Sequence, residues 1–177
     1  KFYEYGRWSS KQKAITNNHV IIPQIAHSKH SEIYKLERDI LIFILQNHSL
    51  FQSEKFQQEL FDLDLLEVAL ASLSSLLQDE IESLASMSRD DYIEWLRKIA
   101  RKFTSLDINF VELVILPSDL DQEVVYSNWQ KMLKLYFLAN IRKEYEMLIV
   151  SEETSEVERA KILLEQVLQL QNEINTN

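Results

Sequence analysis

From about residue 31 onward the apolar residues of this chain recur at intervals of three and four, the spacing that places them on one face of a helix. Ile33, Leu36, Ile40, Phe43 and Ile44 set the first such face, and Leu41, Ile42 and Leu45 widen it until residues 40–45 are apolar without a break. An uninterrupted run of that length suits a buried strand as well as a buried helix. Nothing nearby alternates with period two to supply a strand partner. The pattern therefore predicts a helix covered on most sides, capped at Ser31 with Glu32 in its first turn and ended by the polar Asn47, His48 and Ser49.

Ser53 then precedes EKFQQELF, a short helix with Phe56 and Leu60 inward and Phe61 as a third candidate. Asp64 is placed to cap LLEVALASLSSLLQDEIESLA, where Leu66, Ala69, Leu70, Leu73, Leu76 and Leu77 form a wide stripe that has room for a break near Gln78 or Asp79. Ser88 followed three residues later by Asp91 has the spacing of an N-terminal cap. It introduces a helix with Tyr92, Trp95, Leu96, Ile99 and Phe103 inward, and with Arg97, Lys98, Arg101 and Lys102 outward near a C-terminus that favours cations. Residues 105–117 fit a strand or a short helix closed by Pro117.

The longest periodic stretch covers about residues 121–150, a rod of roughly 45 Å if helical. That exceeds what a bundle of this size spans, so part of it should project. After a polar connection with Ser155 as the expected cap, Val157, Ala160, Leu164, Val167 and Ile174 outline a seam of heptad type that Gln171 interrupts. The short connection predicts an antiparallel return, with Ile141, Tyr145, Leu148 and Ile149 on the first arm. The expected fold is all-α: a lead-in or linker over residues 1–30, a helical bundle over 31–120, and a long helix with a C-terminal antiparallel helical hairpin over 121–177.

Composition narrows the function classes. One glycine and two prolines leave few turns and no glycine-rich phosphate loop. The absence of cysteine removes disulfides, thiolate metal sites and thiol nucleophiles. No apolar run approaches the roughly 20 residues that cross a bilayer. The chain starts at Lys1 rather than Met and is read as a piece of a longer one. Its net charge of -9 is uneven: residues 1–38 carry +4 and the remainder -13. An acidic body is a poor match for phosphate backbones and points to a protein partner, while the basic start can lie along that body.

Candidate chemistry is sparse. Asp62 and Asp64 have the spacing of a metal-binding pair, but a helix cap beside a solvated carboxylate is the better reading. His27 and His30, with His19 nearby, lack further zinc ligands and read as surface residues. Ser10 and Lys13 match a Ser-x-x-Lys spelling without supporting elements, and Asp90, Asp91, Glu152 and Glu153 sit at expected helix starts. No catalytic, cofactor or metal residues are assigned, and the fragment is not expected to be an enzyme. Trp129, Met132, Leu133, Tyr136 and Phe137 form an aromatic stripe read as core. Met147, Leu148, Ile149 and Val150 are four consecutive apolar residues beside a turn, and they cannot all face the other arm. Some should be exposed unless a partner covers them.

LERDILIFILQNHSLF is similar to the first long helix of the C-terminal domain of DnaG-type bacterial primases, in which Leu-Glu-Arg precedes an aliphatic run ended by a Gln-x-His/Asn-Pro turn; Ser49 stands here where proline is common. NIRKEYEMLIVSEETSEVERAKILLEQVLQLQNEI resembles the end of that family, a long helix, an acidic turn and a closing helix. The resemblance spans roughly residues 32–175. It implies a non-catalytic bundle and hairpin that dock on the N-terminal domains of the DnaB-type replicative helicase, in the bacterial cytoplasm at the replication fork. The zinc module and polymerase core of the primase would precede Lys1. Tyr145, Met147, Leu148, Ile149 and Val150, with Val157, Ala160 and Lys161 opposite, are the expected contact. The domain is expected to be monomeric alone, without direct nucleic-acid or membrane binding. The alternative is the N-terminal oligomerisation and primase-binding domain of such a helicase, which shares the plan.

Overall fold

Packing rather than pattern resolves residues 40–45. In a computed structural model, which describes residues 32–115, 121–149 and 154–175, they belong to helix α1 (Glu32–Gln46), and Ile40, Leu41, Ile44 and Leu45 are wholly buried. The protein is all-α: every regular element among the described residues is helical. The lead-in, Ser31, the three histidines at 19, 27 and 30, Ser10, Lys13, Pro117, Val150, Glu152 and Glu153 lie outside the described residues.

A 3₁₀ turn (His48–Gln52) follows α1, then α2 (Glu54–Phe61), α3 (Val68–Asp79), α4 (Ile81–Ser86), α5 (Arg89–Lys102) and α6 (Phe110–Ile115). Their inward faces make one core that includes Leu50, Phe51, Phe56, Leu60, Leu73, Leu77, Leu84, Trp95 and Leu96. The run ending at residue 86 breaks at Glu80, one residue past the expected region, and residues 110–115 are helix rather than strand. Two serine caps form as their spacing predicts. Ser53 accepts from Phe56 N–H, and Ser88 accepts from Asp91 N–H at 3.2 Å while its hydroxyl donates to the Asp91 carboxylate at 2.6 Å. Replacing Ser88 with alanine is expected to cost about 1 kcal/mol of stability, read from urea denaturation, because the first turn of α5 loses its side-chain acceptor.

Asp64 does not cap α3. The helix begins at Val68, and the carboxylate of Glu37 on α1 takes the N–H groups of Leu66 and Glu67 instead, at 2.6 and 3.0 Å. This shifts the connection so that Leu63 and Leu65 are buried while Leu66, expected inward, is exposed. Phe61 is exposed as well, since the last turn of α2 carries it past the core.

Asp121 caps α7 (Gln122–Leu148) by accepting from Glu123 N–H, and at 27 residues the helix is roughly 40 Å long. Its first half enters the main core through Val125, Trp129, Leu133 and Tyr136, with Met132 and Phe137 half-buried beside them. From Leu138 onward its partner is α8 (Thr154–Asn175). Because α8 already includes Thr154, Ser155 lies inside the helix and is not its cap. As α7 advances from Lys134 to Glu144, the paired residue on α8 retreats from Glu173 to Arg159, so the two helices run antiparallel.

Three glutamates hold the polar ends of inward aromatics. Glu37 receives Tyr136, Glu80 receives the indole of Trp95, and Glu59 receives Tyr126 and Trp129. Burying a large ring that carries one donor costs little when the donor meets a charged acceptor. His48 plays a matching part, stacked on Tyr92 with ring centroids 4.2 Å apart and its Nε2 bonded to the carbonyl of Leu84 at 2.7 Å.

Candidate functional site

The seam between α7 and α8 decides which apolar side chains are left over. On α8 the buried residues are Ala160, Leu163, Val167 and Leu170, with Ile174 half-buried. Those positions step by three and four without interruption, as a heptad seam requires. Leu138 on α7 packs with Val167 and Leu170, and Phe137, Ile141 and Ile174 border them. The sequence pattern placed Val157 and Leu164 in this seam with Gln171 breaking it. Both residues are exposed, because they lie one step round the helix from the true seam.

At about 100° of rotation per residue, Val157, Lys161, Leu164 and Leu168 share one flank of α8, and Leu135, Arg142 and Ile149 share the corresponding flank of α7. Glu144 and Arg159 lie on the other flank of their helices, and they meet as an ion pair. Matching flanks of this antiparallel pair therefore open on the same side. The result is one face of the pair carrying Leu135, Leu168, Leu164, Val157 and Ile149, each between 40% and 55% exposed. Met147, 63% exposed, lies at the tip but about 160° round α7 from Ile149, away from this face.

The residues expected to make the contact therefore separate. Met147, Ile149, Val157 and Lys161 are exposed. Tyr145 and Leu148 are half-buried along the α7 side of the seam. Ala160 is 6% exposed and is not available to a partner, because its small side chain is where the two helices close on each other. Val150 lies outside the described residues. Leu135 and Leu168 were not singled out by the sequence pattern, and Leu164 was placed in the seam. The unbroken three-four stepping from Ala160 to Ile174 was the signal that would have freed Leu164 from the seam.

Elsewhere the polar groups answer to structure. Both oxygens of the buried Glu37 carboxylate are occupied by Leu66 N–H, Glu67 N–H and the Tyr136 hydroxyl, whose single proton is shared with the Asp64 carbonyl at 2.7 Å. Burial pushes the Glu37 carboxyl above its ordinary range, and the two backbone donors hold it back in part. The hydroxyls of Tyr92 and Tyr136 are pushed up by burial too. Arg38, bonded to Asp39 and Asp107, is held above its ordinary value chiefly by Asp39. Asp62 ends α2, and among the described residues no group of three or more His, Asp or Glu side chains is placed to hold a metal ion. No described helix is long and apolar enough to cross a membrane. The basic residues of α5 are exposed, Arg97 pairing with Glu94.

Comparison with models of known protein families, with curated proteins and with solved structures finds no match for this chain.

Proposed function

We propose that this chain is a non-catalytic protein-interaction domain that docks through the exposed face of α7 and α8. The observation that carries the reading is the row of Leu135, Leu168, Leu164, Val157 and Ile149 on a two-helix pair whose own buried seam is narrow. Large apolar side chains gathered on one face of a thin layer favour association with another macromolecule. The acidic body directs that choice toward protein rather than nucleic acid.

The partner is named by the resemblance to DnaG-type primases: the N-terminal domains of a DnaB-type replicative helicase. Holding a primer-synthesising enzyme on the helicase ring raises its local concentration at freshly unwound strand with no new contact to that strand. In a pull-down or titration with the helicase ring, Leu164→Glu combined with Leu168→Glu is expected to weaken binding at least ~30-fold, in the range of a hot-spot loss of about 2 kcal/mol. Both positions point away from the seam, so helicity and melting should stay close to wild type. Undiminished affinity would reject the face, and no binding by the wild-type chain would reject the named partner. In the rival reading, a helicase N-terminal domain, the same face would bind a second copy. Light scattering that returns a monomer at every concentration counts against that.

A further inference from the structure

The face of α7 and α8 that carries the apolar row is basic, although the chain as a whole has a net charge of -9. Arg142 on α7 and Lys161 on α8 stand on the two open flanks, and both are exposed. The ion pair on the other flank sets their relative height. Arg142 comes two residues before Glu144 and Lys161 two after Arg159, and in an antiparallel pair both steps run the same way, so the two cations reach one level of the face. Neither forms an ion pair with a described residue, whereas Lys134 and Arg159 each meet a carboxylate of the opposite helix. Lys131 lies farther back on the same flank of α7, and Glu146, one turn from Arg142 toward the tip, is the one carboxylate on either open flank among the described residues.

The apolar residues are divided by that basic level. At about 1.5 Å of rise per residue, Val157 lies roughly 6 Å from it toward the tip and Ile149 roughly 10 Å, while Leu164 and Leu168 lie roughly 5 and 10 Å the other way. The face thus reads apolar, basic, apolar over about 20 Å, and helix axes about 8 to 10 Å apart leave a shallow groove along it. A second copy seated about a two-fold axis at that level would set cation against cation. A phosphate backbone would leave the leucines on either side without a partner.

Resting on the docking reading above, we propose that the partner seats an acidic amphipathic helix on this face. Its carboxylates lie between Arg142 and Lys161, and its apolar residues lie one to two turns to either side, against Val157 and Ile149 and against Leu164 and Leu168.

Two labelled helical peptides test this chemistry directly: one with a turn of glutamates between two turns of leucines, the other identical but with lysine for glutamate. The full chain should bind the acidic peptide at least ~10-fold more tightly than the basic one, and Arg142→Glu with Lys161→Glu should reverse that order. Both substitutions fall on exposed side chains outside any ion pair, so melting should stay close to wild type. Equal binding of the two peptides, binding of neither, or an order that the double variant leaves unchanged overturns the proposal. A single-stranded oligonucleotide that binds more tightly than the acidic peptide assigns the cations to phosphate and overturns it too. The docking face is judged separately by Leu164→Glu with Leu168→Glu against the helicase ring. Loss there, with Arg142→Glu and Lys161→Glu harmless, keeps the face and rejects the acidic helix.

Discussion

Replacing Trp129 with alanine should destabilise the protein by about 4 kcal/mol, the largest effect of any single truncation we expect. The indole has no exposed surface, and its ring meets Phe56 edge-on with centroids 5.0 Å apart. Its N–H donates to Glu59 at 2.8 Å, where Tyr126 and Gln130 also donate. Truncation therefore opens a cavity between α2 and α7, removes an aromatic pair worth about 1 kcal/mol, and leaves Glu59 one donor short. Trp129→Phe separates the terms. It keeps much of the volume and leaves Glu59 two donors, so about 1 to 2 kcal/mol should be lost. Urea denaturation of both variants checks the order. Near-equal losses would mean that the hydrogen bond, not the packing, dominates.

Glu37→Ala should cost about 2 to 3 kcal/mol by orphaning Leu66 N–H and Glu67 N–H, whose acceptor is the wholly buried Glu37 carboxylate. The pH dependence is the sharper test. Desolvation by burial raises the Glu37 carboxyl, outweighing the backbone N–H groups of Leu66 and Glu67 and the Tyr136 hydroxyl, which favour the anion. A group whose folded pKa lies above its unfolded value contributes stability that is complete below the unfolded value and is lost as pH rises through the folded one. Compared with Glu37→Gln, the wild-type protein should therefore be favoured most near pH 4 and less at pH 7. The other carboxylates are common to both proteins and cancel. A difference that grows with pH would mean that the anion, held by its two backbone donors, is the form the fold prefers.

The helical class was legible in the sequence because the apolar spacing of α1, α5 and α7 is satisfied along each helix by itself. Ser53, Ser88 and Asp121 were legible as caps or helix starts for the same reason, since each bonds a residue two or three positions away. Asp64 was misread because its rival was Glu37, 27 residues upstream, and no local rule weighs a side chain that arrives from another helix. Val157 and Leu164 were misplaced by a single step of helical rotation. The pattern of α8 holds two apolar stripes, and spacing alone does not say which one α7 will cover.

What the sequence by itself determined is therefore everything governed by short range: helix type, most boundaries, the inward faces of α1, α2 and α5, and the lack of any loop or cysteine set suited to phosphate or thiol chemistry. Tertiary structure alone decided which of two equally apolar stripes on α8 is covered, which carboxylate starts α3, and that Ala160 is enclosed while Leu164 and Leu168 face outward. The reason is physical. Hydrogen bonds within a helix are local, but the hydrophobic effect has no direction of its own, and only the arrival of α7 gives it one.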